Sequence, residues 1–277
     1  MSFRSLDDIR ALPGIYHLRR NRYARAFLHG TFGTQWGEFP TAQSARAAVP
    51  KAIPSSYDNP ELVDLKADFF AQVHLFDWPV LFYLRRLIDE CRMTALVDFG
   101  GHIGAKYYAF RDHLALPHDF AWQVVETPAM AVEGRRRAAA SNATHLSFCD
   151  RIEDAPAADI LFCSGSLQYF DGTVLDIVAR LARRPQAIIL SKLPICEDAD
   201  FYTLDNLQTV KVPYHVFSAA EHEALCRDSG YERVERWHIA YRDFEVPFSH
   251  PRRAVRMYGE VWLDPALSRA LALDSAS

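Results

Sequence analysis

The sequence predicts an α/β fold: a doubly wound, mostly parallel sheet of seven strands with helices on both faces, preceded by a helical and irregular extension. Three observations predict it. From Thr94 onward, short apolar runs alternate with helical patterns; the first three runs each end in an acid; and two further strand-like segments follow the last of these helices. Parallel strands in one sheet require crossover connections, which are right-handed.

The elements follow in order. Ala95 to Phe99 is a first strand, leading through a glycine turn into a helix from about Ala105 to Leu114. Trp122 to Val125 is the second, closed by Glu126; Thr127 suits an N-cap and Pro128 the first helical position, with the helix running to about Ala140. His145 to Cys149 is the third strand, ending at Asp150, and Asp159 to Cys163 the fourth. Asp171 is expected to cap a helix with Val174, Leu175, Val178 and Leu181 on one apolar face. Ala187 to Leu190 is a fifth strand, apolar throughout. Ser218-Ala219-Ala220-Glu221 reads as a capping box opening a helix that stops before Gly230. Residues 231–241 and 253–263 read as two closing strands separated by Pro247 and Pro251.

Upstream, residues 30–60 are punctuated by glycine and proline and read as irregular chain. Leu62, Leu65, Phe69 and Val73 recur at helical spacing, and a second helix is expected from Pro79 to Cys91. The aromatic residues around them (Phe69, Phe70, Phe76, Trp78, Phe82, Tyr83) read by default as packing, with a pocket lining as the alternative. The expected organisation is therefore a lid over residues 1–92, a ligand-binding domain over 93–265 and a tail over 266–277.

Composition narrows the function. The 277 residues are 49% hydrophobic and 24% charged, with a formal net charge of -4, as in an ordinary soluble globular protein. Short basic groups such as Arg135-Arg136-Arg137 read as solvated helix faces, so nucleic acid is not expected as a partner. Met1 to Asp8 has no apolar core for a secretory signal, and no apolar run is long enough for membrane insertion. The five cysteines are an odd number without a Cys-x-x-Cys pair, which argues for a reduced, cytoplasmic chain without a disulfide framework or thiolate zinc site. No His, Asp or Glu spacing marks a metal. The sequence does not indicate an oligomeric state.

In a parallel sheet, ligands bind beyond the carboxyl ends of the strands. After the first strand comes Asp98-Phe99-Gly100-Gly101-His102-Ile103-Gly104, a turn in which glycines allow positive φ and close approach to a ligand. Two cofactor classes use such turns, dinucleotides and S-adenosylmethionine. A dinucleotide fingerprint counted from Gly100 would need glycine where His102 and Ala105 stand. The S-adenosylmethionine pattern wants an acid, then glycines at spacing two, four and six; Asp98, Gly100 and Gly104 match it, and His102 replaces the middle glycine. Glu126, with Thr127 beside it, is placed to accept ribose hydroxyls. Asp150 is placed to accept the adenine amino group, with a backbone N–H from Cys149 or Arg151. Ser164-Gly165-Ser166 and Gln168 follow the fourth strand, where the methionine end would rest.

On these residues the segment from Leu96 to about Tyr169 resembles the cofactor core of class I S-adenosylmethionine-dependent methyltransferases. More narrowly, Val97 to Gly104 resembles a family of bacterial methyltransferases associated with polysaccharide gene clusters. Further matches are Val124-Val125-Glu126, Ser164-Gly165-Ser166-Leu167-Gln168-Tyr169, Lys192-Leu193-Pro194-Ile195, Gly37-Glu38-Phe39, Tyr57-Asp58-Asn59-Pro60 and Trp78-Pro79. The resemblance implies cofactor contacts from Asp98, Gly100, Gly101, Gly104, Glu126 and Asp150, and methyl transfer to a small-molecule or glycan acceptor. His102 departs from the small residue that related chains carry. Candidates for handling the acceptor's proton are His102, Tyr169 and His215. Ser164 and Ser166 lack a G-x-S-x-G elbow, which argues against a hydrolase. The alternatives are a nicotinamide-dependent oxidoreductase on the same fold and a non-catalytic partner in a biosynthetic complex.

Overall fold

The computed structural model describes residues 13–63, 65, 67–249 and 253–274. Met1 to Asp8, Pro251 and the last residues of the 266–277 tail lie outside them. In chain order, α1 (Pro13–His29), β1 (Gln35–Phe39) and α2 (Ala42–Ala47) come first, followed by α3 (Ala67–Phe70) and α4 (Trp78–Asp89). The alternating region holds β2 (Ala95–Phe99), α5 (Ala105–Phe110), β3 (Ala121–Val125), α6 (Pro128–Ala140), β4 (Leu146–Cys149), β5 (Ile160–Ser164), α7 (Val174–Arg180) and β6 (Ala187–Cys196). After it come β7 (Phe201–Leu207), β8 (Val210–Ser218), α8 (Ala219–Asp228), β9 (Glu232–His238), β10 (Phe244–Glu245), β11 (Ala254–Leu263) and α9 (Pro265–Asp274).

The chain forms two compact units. One takes the residues up to Ser56 with Phe201–Tyr214 and Glu245–Ala254; the other takes Tyr57–Asp200, His215–Phe244 and Val255 onward. The units part at 56/57, so α4 belongs with the second unit. The physical reason is α4, whose Val80, Leu84 and Leu87 are buried in the same apolar cluster as Trp122 and Ile160 of the sheet. In the first unit β1 runs antiparallel to β7, with Trp36 opposite Leu204, and Phe27, Ala45 and Val49 form its core with Leu204.

The second unit holds the large sheet. Its order is β4-β3-β2-β5-β6, with β11 added beside β6 and β9 beside β11; the end of β8 also pairs in parallel with the end of β6, Phe217 opposite Ile195, so the strand count only roughly matches the seven expected. The pairs among β2 to β6 are parallel, and β11 is antiparallel to both neighbours. Both faces are covered. Along β5, Ile160 and Phe162 enter one apolar cluster while Leu161 and Cys163 enter the other, the period-2 alternation of a strand between two helical layers.

Several elements differ from expectation. The helical pattern from Pro60 to Val73 is broken into a 3₁₀ turn at Pro60–Leu62 and the single turn of α3. Leu62 is buried whereas Phe69 is 41% exposed, so its apolar positions do not share one buried face. α7 is capped by Thr173, whose hydroxyl accepts from Asp176 N–H while the Asp176 carboxylate accepts from Thr173 N–H; Asp171 does not cap it. α5 ends at Phe110, earlier than expected. β6 runs on to Cys196, and β7 and β8 were not expected, because Asp205, Asn206, Lys211 and His215 mask their strand pattern. Among the described residues no helix is long and apolar enough to cross a membrane.

The closing strands are tied by one buried carboxylate. Glu260 on β11 is fully buried and accepts from Trp262 Nε1 at 2.8 Å, its carboxylate lies 2.9 Å from His222 Nε2 of α8, and it forms an ion pair with Arg236 of β9 at 3.2 Å. Burial by itself would raise its pKa, but the hydrogen bond and charge of His222, with Trp262 and Arg233, hold it below the usual carboxylate value. Glu260→Ala leaves those donors without an acceptor and is expected to cost about 3–5 kcal/mol in denaturant unfolding, with Glu260→Gln costing less. Equal losses for the two substitutions would show that the network does not hold the strands.

Candidate functional site

The parallel strands change direction of winding between β2 and β5, the switch point at which open α/β sheets bind ligands. A cavity of about 530 Å³ lies there, within the range of small-molecule sites. Phe99 and Gly100 after β2, Glu126 after β3, Asp150 after β4, and Gly165 and Ser166 after β5 all line it.

The turn after β2 is built from alternate left-handed residues: Gly100, His102 and Gly104 have φ of 68°, 57° and 83°. His102 therefore takes the conformation that the missing middle glycine would take, at a cost of about 1–3 kcal/mol for a non-glycine residue. Its N–H donates to Glu126 Oε1 at 3.1 Å, which helps to hold it there. A Cβ on Gly100 would sit 2.3 Å from the Ser166 Cβ, so close approach of the two loops requires glycine. Gly101 packs on the Asp98 carboxylate. Gly104 opens α5 and faces Leu146, away from both cavities of the site.

Two buried acids anchor the arrangement. Glu126 accepts from His102 N–H and, at 2.7 Å, from Thr127 N–H. Burial pushes its pKa up to about 7 against the pull of those two donors, and the charge of Asp58 adds to the rise. Asp98 is fully buried and accepts from Trp122 Nε1 at 3.1 Å, while its Oδ1 has no hydrogen-bond partner among the described residues. Burial pushes its pKa up to about 7 as well, opposed by Trp122 and reinforced by Glu126.

Thr127, Asp150 and Arg151 line the large cavity too, Asp150 and Arg151 being exposed. Ser166 donates from Oγ to Phe99 O at 2.5 Å, clamping the β2 and β5 loops. Cys149 donates from Sγ to Arg151 O, and burial raises its thiol pKa; neither it nor the buried Gln168 is among the residues lining this cavity. Tyr169 does line the large cavity, its ring 5.2 Å from that of Tyr57.

A second, smaller cavity of about 50 Å³ adjoins the first through Tyr57, Gly100 and Gly165. Asp98, Gly101, His102 and Ser164 line it, together with Lys106 and Lys192. The two lysines were not expected there. Lys192 lies in the middle of β6, one residue past the stretch paired with β5, where Ser164 stands opposite Ser191; the sequence offers no strand end there to single it out. Phe70 also lines this cavity, whereas Trp78 and Phe82 are 53% and 57% exposed. His215 is not brought to the site: its Nε2 is 2.8 Å from Asp200 Oδ2, its ring packs on Phe217, and it lines neither cavity.

The sheet order and the glycine turn at its switch point define a Rossmann-like α/β fold. No family model and no curated protein matches the chain. Among solved structures it is similar to PigF with SAH, at 18% identity over 87% of this chain and 72% of that one, with a TM-score of 0.49. It is also similar to the N-terminal domain of EvdMO1 with SAH bound, at 14% identity over 91% and 98%, TM-score 0.45. A third is an O-methyltransferase family protein from Burkholderia thailandensis, at 14% identity over 88% and 69%, TM-score 0.44.

The buried acids make a stability prediction. Because the folded pKa of Asp98 is raised, the folded chain keeps this proton after the unfolded chain has lost it, and stability falls as pH rises from about 4 to about 7. Asp98→Asn cannot ionise. In thermal or denaturant unfolding without ligand it is expected to be more stable than the unsubstituted protein at pH 8, by about 2–4 kcal/mol, with a smaller difference at pH 5. A variant less stable at pH 8 would show that the carboxylate is stabilised in the fold.

Proposed function

We propose that this protein is an S-adenosylmethionine-dependent methyltransferase acting on a small-molecule or glycan acceptor, with transfer to oxygen favoured and the cytoplasm as its compartment. One observation carries the reading: three acids, Asp98, Glu126 and Asp150, stand at the ends of three neighbouring strands around a glycine turn, and two of them line the large cavity. That donor set fits the cofactor. Carboxylates at a strand end accept hydroxyl and amino hydrogens, which an adenosine presents, and they repel a pyrophosphate. Arg180, which also lines the cavity, is engaged by Glu153 at 2.8 Å. This charge pattern disfavours the dinucleotide alternative.

Glu126 would accept the ribose hydroxyls, its backbone-bonded oxygens keeping lone pairs for them. Asp150 would accept from the adenine amino group, beside the apolar walls of Phe99, Ile152 and Phe170. Gly165 and Ser166 leave room for the chain that joins the nucleoside to its amino-acid end. When bound, the cofactor supplies an electrophilic methyl group on a sulfonium. The protein's share is positioning, exclusion of water and management of the acceptor's proton. Tyr169, which lines the large cavity, and His102, which lines the inner one, would take part in the last of these; His215 lines neither cavity.

Calorimetric titration with S-adenosylmethionine and S-adenosylhomocysteine tests the proposal, with NAD in parallel. Both sulfur nucleosides are expected to bind, and an Asp98→Ala, Glu126→Ala double variant to bind roughly a hundredfold more weakly or worse. Binding of NAD alone would favour the oxidoreductase, and binding of nothing would leave a non-catalytic partner.

A further inference from the structure

The inner cavity has walls of both charge signs. Asp98 supplies a buried carboxylate with Oδ1 unpartnered, and the Ser164 hydroxyl beside it also has no partner among the described residues. Lys192 supplies an amine that is 8% exposed and makes no hydrogen bond or ion pair among the described residues. Lys106, the other amine, is already spoken for, with Nζ 2.7 Å from Asp77 Oδ2. A lone buried amine and a half-satisfied buried carboxylate are costly unless a ligand completes them. The space of about 50 Å³ holds a group of a few non-hydrogen atoms. An α-amino acid group has that size and both complementary charges.

The backbone is built to hold the lysine. Lys192 has φ of 60°, a strained value for a residue with a side chain, of the kind that persists at functional positions. A Cβ on Gly165 would lie 2.7 Å from Lys192 Cε and 2.9 Å from Nζ, so glycine lets the lysine rest against the β5 loop. Phe70 and Phe76 stand 5.5 and 5.3 Å from Nζ. The charged groups that act on it are Lys106 and Arg242, which disfavour its proton, and Asp77 and Asp98, which favour it; His102 and Tyr57 line the same cavity. Burial dominates and pushes the Lys192 pKa down to about 7.

We propose that Lys192 is the counter-ion for the α-carboxylate at the amino-acid end of the cofactor, with Asp98 and Ser164 receiving the α-ammonium. This rests on the cofactor assignment above. It makes binding proton-linked: burial lowers the pKa of the amine, and a carboxylate arriving beside it favours the protonated form.

The experiment compares S-adenosylhomocysteine with 5′-methylthioadenosine, which keeps the adenosine and thioether but lacks the amino-acid end. Both are titrated calorimetrically into the unsubstituted protein and Lys192→Met at pH 8, in buffers of different ionisation enthalpy. The substitution is expected to weaken S-adenosylhomocysteine at least about tenfold, and to leave 5′-methylthioadenosine within about twofold. Proton uptake with S-adenosylhomocysteine is expected to fall by up to about one proton per ligand in the variant. Unchanged affinity for S-adenosylhomocysteine, or an equal loss for both ligands, would overturn the role of Lys192. Failure of both ligands to bind the unsubstituted protein would instead remove the cofactor assignment beneath it.

Discussion

Glu126 is the residue on which the rest of the site depends. Its side chain stands at the end of β3, yet it accepts the N–H of His102 in the loop after β2 and the N–H of Thr127 at the start of α6. A carboxylate bonded to two backbone donors ties two strand ends and one helix start into a single geometry. The same bond helps His102 remain left-handed without being glycine. The close approach of the loops at Gly100 and Ser166 adds a second clamp, from Ser166 Oγ to Phe99 O.

The site is lined by ionisable groups that the protein has removed from water. Asp98, Glu126, Lys106 and Lys192 are all buried within the two cavity walls or beside them, and among the described residues only Lys106 of the four forms an ion pair, with Asp77. Elsewhere in the same unit the buried carboxylate of Glu260 is surrounded by donors and stabilises the strands that carry it. The contrast separates two uses of a buried acid. Glu260 is satisfied, with a depressed pKa; Asp98 and Glu126 retain unmet capacity and raised pKa values, as expected where binding is prepared at the expense of stability.

Local sequence rules worked where the chain obeys one period over a whole element. β2 and the start of α6 fall where strand pattern and helix signals place them, because both faces of a central parallel strand are buried and Pro128 permits only the start of a helix. They failed where polar residues are buried by partners distant in sequence. Lys211 and His215 sit on β8, in which every residue is buried, so the strand carries no alternation to read. The run from Pro60 to Val73 has the spacing of a helix but breaks, and Phe69 faces outward.

By itself the sequence determined the order of strands and helices in the alternating region, the turn at Asp98–Gly104 and the acids at three strand ends. These are local properties: hydrophobic period, helix caps and the conformational freedom of glycine. Tertiary structure alone decided which of those residues share a cavity. It brought Tyr169 to the large cavity, left His215 bonded to Asp200, and set Lys192 from β6 against the glycine loop of β5. It also decided that the acids at 98 and 126 are buried while the one at 150 is exposed, since burial depends on what packs over a residue and not on its neighbours in the chain. The distinction is physical: backbone preferences act over a few residues, whereas desolvation and charge pairing act across elements that meet only when the sheet has formed.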